Sequence, residues 1–131
     1  PLIQTARLVN DNKIDWVVKT ALELCNNYPE KNVICCGITF KADVDDMRES
    51  PSLKIYEQLR LKLGNRVFAS DPMVNERKAT DVSFFPVASI EKTQDILILL
   101  VDHSIFRDMM PQSRHVLDVK GIWKKANQKH S

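Results

Sequence analysis

The sequence predicts an α/β domain, a doubly wound parallel sheet sandwiched between helices as a three-layer α/β/α fold. Three observations predict it. Short continuous apolar runs at residues 33–40 and 95–101 have the character of strands covered on both faces. Between such runs lie segments whose apolar residues recur at helical spacing. The two kinds alternate along the chain, which calls for right-handed crossovers and therefore parallel pairing. A chain of 131 residues suits one such domain with a helix attached.

The first element is a helix. Ile14, Val17, Val18, Ala21, Leu22 and Cys25 form one stripe at helical period, and Leu2, Ile3, Ala6 and Val9 either extend it or make a separate turn. Pro29 ends it. Residues 33–40 are the first strand. Ser50 and Pro51 open a helix as N-cap and first helical residue, with Leu53, Tyr56, Leu59 and Leu63 on one face and Gly64 as its stop. Residues 66–70 make a second strand, broken by Asp71-Pro72. A helix is expected over 74–80, a third strand over 82–85 and a short helical connection over 89–93. The fourth strand spans 95–101, a short helix 104–110, and the fifth strand 115–119. The expected strand order is 3-2-1-4-5, a Rossmann-like arrangement with its topological switch between the first and fourth strands.

Composition narrows the function. Nineteen basic against 17 acidic residues leave a net charge of +2, so no large basic field invites nucleic acid. No apolar run approaches the ~20 residues of a membrane span. The first residue is Pro1 rather than Met, and the chain reads as a piece of a longer protein. Cys25, Cys35 and Cys36 lack zinc-type or CxxC spacing and read as buried free thiols, with the adjacent pair on opposite strand faces. Free thiols fit a reducing, cytoplasmic setting. Trp16 and Trp123 read as packing residues, and Lys124, Lys125 and Lys129 as a solvated basic tail.

With only Gly37, Gly64 and Gly121, neither GxGxxG nor GxxxxGK[ST] can be written, so the domain does not hold a dinucleotide in the usual way. Ligands of doubly wound sheets bind beyond the carboxyl ends of strands at the switch point. Those ends carry Phe40-Lys41, Asp102-His103-Ser104, and Asp118 with Lys120. This placement predicts an anionic ligand. Residues 41–50 hold two cations and several carboxylates, for which three readings stand. They form a solvated loop of cancelling charges, a calcium loop, or a phosphate grip by Lys41 and Arg48 beside the positive end of the helix from Pro51. The calcium reading lacks the glycine and glutamate that an EF-hand needs. His103 reads as a hydrogen-bonded structural group rather than a catalyst.

The run Gly37-Ile38-Thr39-Phe40-Lys41, followed by Asp43-Val44-Asp45-Asp46-Met47-Arg48-Glu49-Ser50-Pro51, resembles the opening of the C-terminal, UDP-binding domain of the UDP-glucose/GDP-mannose dehydrogenase family. Residues 5–11 look like the end of that family's central helical domain. Leu99-Leu100-Val101-Asp102-His103-Ser104 and Leu117-Asp118-Val119-Lys120-Gly121-Ile122-Trp123 resemble its acetamido-mannose branch. The resemblance implies that 1–29 close the central dimerisation domain and that 30–131 form the UDP-sugar-binding domain. It implies an NAD-dependent oxidation of a UDP-sugar at C6, with two NAD used in turn and NAD bound mainly by an N-terminal domain. It also implies a cysteine nucleophile outside this chain, a fragment inactive alone, and a homodimer or higher homo-oligomer. Phe40 and Lys41 match substrate-contacting positions, and Arg48 matches an arginine that reaches NAD. Lys120 stands where the UDP-glucose branch has a substrate-contacting arginine. UDP-N-acetylglucosamine and UDP-glucose are the competing substrates within the family. A receiver-type signalling module is the competitor from another class, but it needs an acid at the end of the third strand, where Phe84-Phe85-Pro86 stand.

Overall fold

The computed structural model describes residues 2–123, with side chains from Lys13 onward, so the basic tail expected at Lys124, Lys125 and Lys129 lies outside the described residues. Helix α1 spans Leu2–Asn26 as one continuous element. It is followed by β1 (Val33–Cys36), α2 (Pro51–Leu63), β2 (Val67–Ser70), β3 (Ile96–Leu99), α3 (Ser104–Arg107) and β4 (Val116–Asp118). The four strands are parallel in the order β2-β1-β3-β4, with Cys35 registered between Ala69 and Ile98.

The expected order is therefore present, with one correction. The strand expected at 82–85 is reduced to a single parallel bridge between Ala69 and Phe84. Ala69 exchanges two backbone hydrogen bonds there, with Ser83 O and Phe85 N, and the chain then leaves the sheet for a 3₁₀ turn at Val87–Ser89, so no further pair forms. The helix expected at 74–80 is a set of turns about Asn75, whose side chain accepts from Arg77 N at 3.0 Å. Only Val74 and Ala79 of that stretch meet the core, and their spacing of five does not make one helical face, so nothing propagates a helix. The helix expected at 104–110 stops at Arg107, because Pro111 holds Met110 out of helical conformation. The helical connection expected over 89–93 is a run of turns, and the 3₁₀ turn lies ahead of it at Val87–Ser89. β1 ends at Cys36 rather than 40 because Gly37 turns the chain at φ 94°.

Two cores flank the sheet, split by strand alternation. On one face Cys35, Ala69 and Ile98 pack with Val17, Val18, Ala21 and Cys25 of α1 and with Tyr56 and Leu59 of α2. On the other, Ile34, Cys36, Leu97 and Leu99 meet Ile90, Phe106 and Trp123, so short segments and turns cover this face. Cys35 and Cys36 do face opposite ways. Trp123 is buried and donates from its indole to Phe106 O at 2.7 Å, whereas Trp16 is 54% exposed and is not a packing residue among the described contacts. No described helix is long and apolar enough to cross a membrane.

Candidate functional site

A cleft of about 190 Å³ opens at the carboxyl edge of the sheet, between the ends of β1 and β3 where the winding reverses. Phe40 and Lys41 enter it from beyond β1, Leu100 to Asp102 from β3, and Val119 with Lys120 from β4. Pro51 and Ser52, the first residues of α2, form the floor, and Lys13, Ile14 and Val17 of α1 form a wall. Three of the four residues singled out from sequence thus share one cleft. Lys13 joins them, a third ammonium that the sequence reading missed because it lay on the exposed flank of a helix assigned to another domain.

Arg48 is not in this cleft. It borders a separate shallow hollow with Asp46, Glu49 and Phe40, and Phe40 alone lines both. The Arg48 guanidinium is held by Asp46 through Nε at 3.1 Å and Nη2 at 3.3 Å, while its side chain stays 89% exposed. The same contacts hold the Asp46 carboxyl below its ordinary range. Lys41, Arg48 and Lys120 therefore present two neighbouring cationic surfaces rather than one.

The loop carrying Phe40 and Lys41 is tied down at many points. Ser50, N-cap of α2, accepts from Leu53 N at 3.2 Å and donates to Ile38 O at 2.9 Å. Phe40 N donates to Asp46 O at 2.7 Å. Asp43, at φ 62°, accepts from Ser104 N at 2.8 Å and Ser104 Oγ at 2.6 Å, bonds that keep its carboxyl below the ordinary range. Its backbone N–H donates to His103 Nδ1 at 2.9 Å. His103 is fully buried, and its Nε2 lies 3.0 Å from Asp71 Oδ2, itself the acceptor for Ile38 N at 2.7 Å. The structural reading of His103 holds. In the sequence Asp71-Pro72 marks only a strand break, yet Asp71 stands at the carboxyl end of β2 as the other polar groups stand at theirs.

Lys120 is organised by Asp118, whose Oδ1 accepts from Lys120 N at 3.1 Å and Gly121 N at 2.6 Å, and whose Oδ2 accepts from Trp123 N at 2.6 Å. Asp102, the one acid in the cleft, is paired with Arg107. Lys41 makes no ion pair among the described residues, and the local carboxylate that could have neutralised it, Asp43, is committed to Ser104. The cleft therefore offers ammonium groups without matching acids. No three described His, Cys, Asp or Glu residues converge as a metal site.

A parallel α/β sheet with a cationic switch-point cleft is an anion-binding nucleotide domain in class. The model of the UDP-glucose/GDP-mannose dehydrogenase family, UDP binding domain, matches residues 34–125, and the chain belongs to that family. It is 34% identical over 127 residues to an NDP-N-acetyl-D-galactosaminuronic acid dehydrogenase of Ralstonia nicotianae, covering 93% of this chain and 30% of that protein. It is 33% identical over 137 residues to the UDP-N-acetyl-D-mannosamine dehydrogenase of Escherichia coli, covering 94% of this chain and 33% of that protein. Among solved structures, a UDP-N-acetyl-mannosamine dehydrogenase from S. aureus superposes with a TM-score of 0.74 at 31% identity, over 94% of this chain and 30% of that one. The chain thus spans about a third of the length of the relatives it matches.

Proposed function

We propose that this chain is the UDP-sugar-binding C-terminal domain of a UDP-N-acetyl-D-mannosamine 6-dehydrogenase, which oxidises the sugar C6 alcohol to a carboxylate with two NAD. The uronic acid so formed would supply a bacterial surface polysaccharide. The observation that carries the reading is the meeting of Phe40, Lys41 and Lys120 in one cleft at the sheet's switch point. A nucleoside diphosphate brings a flat base and a doubly charged bridge. The exposed Phe40 ring offers a face for the one, and Lys41, Lys120 and Lys13 offer charge for the other, beside the positive end of α2. Lysine in place of a forked guanidinium at 120 acts as a point charge, which suits a diphosphate that can rotate against it.

NAD, when bound, accepts the hydride. With no glycine-rich turn in the chain, its principal site falls to another domain, and Arg48 is the residue here whose chemistry fits it. Arg48 is an exposed guanidinium, held by Asp46 and bordering a hollow separate from the UDP cleft, able to meet an anion presented from outside. Residues 1–29 would close the central helical domain, through which the full enzyme forms a homodimer or higher homo-oligomer. The buried free thiols support a cytoplasmic setting, the catalytic cysteine lies outside the chain, and the fragment alone is inactive.

A second reading keeps the fold and cleft and changes the sugar, since a relative 34% identical to this chain is named for N-acetyl-D-galactosaminuronic acid. The test is NADH formation by the full-length enzyme with UDP-N-acetyl-D-mannosamine, UDP-N-acetyl-D-galactosamine, UDP-N-acetylglucosamine and UDP-glucose. Preference for the first supports the proposal. Preference for the second moves the sugar assignment, and turnover of none sinks the dehydrogenase reading.

A further inference from the structure

We propose that His103 is a positioning residue for the nucleotide cleft, fixing residues 39–43 so that Phe40 and Lys41 point into it; this rests on the assignment of those two residues to the UDP-sugar. His103 touches no part of the cleft surface itself. It acts through the loop.

The tautomer follows from the partners. The Asp43 backbone N–H can only donate, so Nδ1, 2.9 Å away, carries no proton, and the proton sits on Nε2. Nε2–H is then directed to Asp71 Oδ2 at 3.0 Å, with Thr39 Oγ1 at 3.3 Å beside it. Thr39 Oγ1 spends its own proton on Lys41 O at 2.9 Å, which leaves it an acceptor toward the ring. Asp71, whose side chain is also fully buried, is satisfied by Ile38 N at 2.7 Å and Met73 N at 2.8 Å besides the imidazole. The chain from 38 to 43 is therefore gripped at Ile38 N, Thr39 Oγ1, Lys41 O and Asp43 N by one buried network.

Two features show that the grip acts on loop shape as well as on packing. Asp43 sits at φ 62°, a left-handed conformation that a free loop seldom keeps. The two ends of the ring also differ in what replaces them: Asp71 keeps Ile38 N and Met73 N as donors without the imidazole, whereas Asp43 N has no described acceptor other than Nδ1 and would be left unpaired. Lys41 lies between the two gripped ends, and its freedom to move relative to Lys120 is set by them.

The test is calorimetric binding of UDP to the full-length protein and its variants Lys41→Ala, His103→Gln and His103→Asn, each with a melting temperature. His103→Gln reaches the Nε2 position and serves Asp71 but withdraws the acceptor from Asp43 N. His103→Asn carries an oxygen at the Nδ1 position. The expected result is about tenfold weaker UDP binding for Lys41→Ala and for His103→Gln, and a change within about threefold for His103→Asn. Normal binding by Lys41→Ala overturns the site assignment. Weakened Lys41→Ala with normal His103→Gln leaves the site standing and overturns the positioning role, whatever the melting temperatures. Equal loss in both histidine variants overturns the Nδ1 tie. If neither histidine variant folds, the imidazole ¹⁵N spectrum of the unaltered protein decides. An unprotonated Nδ1 at neutral pH that shifts on saturation with UDP is expected, and a protonated Nδ1, or one indifferent to UDP, overturns the proposal.

Discussion

A Cβ placed on Gly37 would lie 2.5 Å from the Cβ of Val101 and 3.0 Å from its backbone nitrogen. Gly37 also stands at φ 94°, where an L side chain is strained whatever the space. These two residues are the exits of β1 and β3, and their close approach brings the two site-bearing loops together at the switch point. Gly37→Ala should therefore combine backbone strain with overpacking and lower stability by about 2–4 kcal/mol. Urea denaturation measures it. A loss below about 0.5 kcal/mol would mean that the strand ends can part without cost.

Lys41→Ala and Lys120→Ala should each weaken UDP binding by the full-length enzyme about tenfold, the equivalent of about 1.4 kcal/mol, with the melting temperature unchanged. Both side chains are exposed, so neither is held for the fold. Raising the salt concentration should reduce the difference between variant and parent, because a charge contact at an open cleft is screened. Unchanged affinity with a lowered melting temperature would make Lys41 a structural residue.

Arg48 should behave differently from the lysines, because it faces another hollow. Arg48→Ala is expected to raise the KM for NAD about tenfold while the KM for the UDP-sugar stays within about twofold. Stability should not change, since the Asp46 pair is exposed to solvent. Equal losses for both substrates would place Arg48 in the sugar site after all.

How far the molecule was legible can be judged from particular residues. The strand order, the switch point and the presence of Phe40, Lys41 and Lys120 in one cleft followed from apolar runs and from which polar groups stood at strand ends. Those signals survive because a strand buried on both faces is written as a continuous apolar run. The strand at 82–85 failed because its pairing rests on a single neighbouring residue, Ala69, a tertiary matter. The helix at 74–80 failed because its two core contacts, Val74 and Ala79, do not share a helical face, and local propensity alone does not propagate. Lys13 was invisible since helical period marks which side is buried but not what the exposed side overlooks. The Asp71–His103 pair, 32 residues apart in sequence, is a contact that spacing alone does not disclose.

The three thiols predict a specific alkaline weakness. Burial raises the pKa of Cys25 from its ordinary 9.0 to about 11, with the Arg66 charge opposing, and burial raises those of Cys35 and Cys36 well above the ordinary value too. In the folded chain they stay protonated at a pH where the unfolded chain releases their protons. The stabilisation is complete below about pH 9 and is lost as pH rises through the folded values, beginning with Cys25 between about 9 and 11. Each thiol adds up to about 1.4 kcal/mol of lost stability per pH unit in that window. Urea midpoints taken from pH 7 to 10.5 should therefore hold level and then fall. In Cys25→Ala, which removes one titrating group, the fall between pH 9 and 10.5 should be shallower by close to one thiol's share. Parallel curves for the variant and its parent would show that Cys25 ionises in the folded state as readily as in the unfolded one, and that the α1–sheet interface admits water at that position.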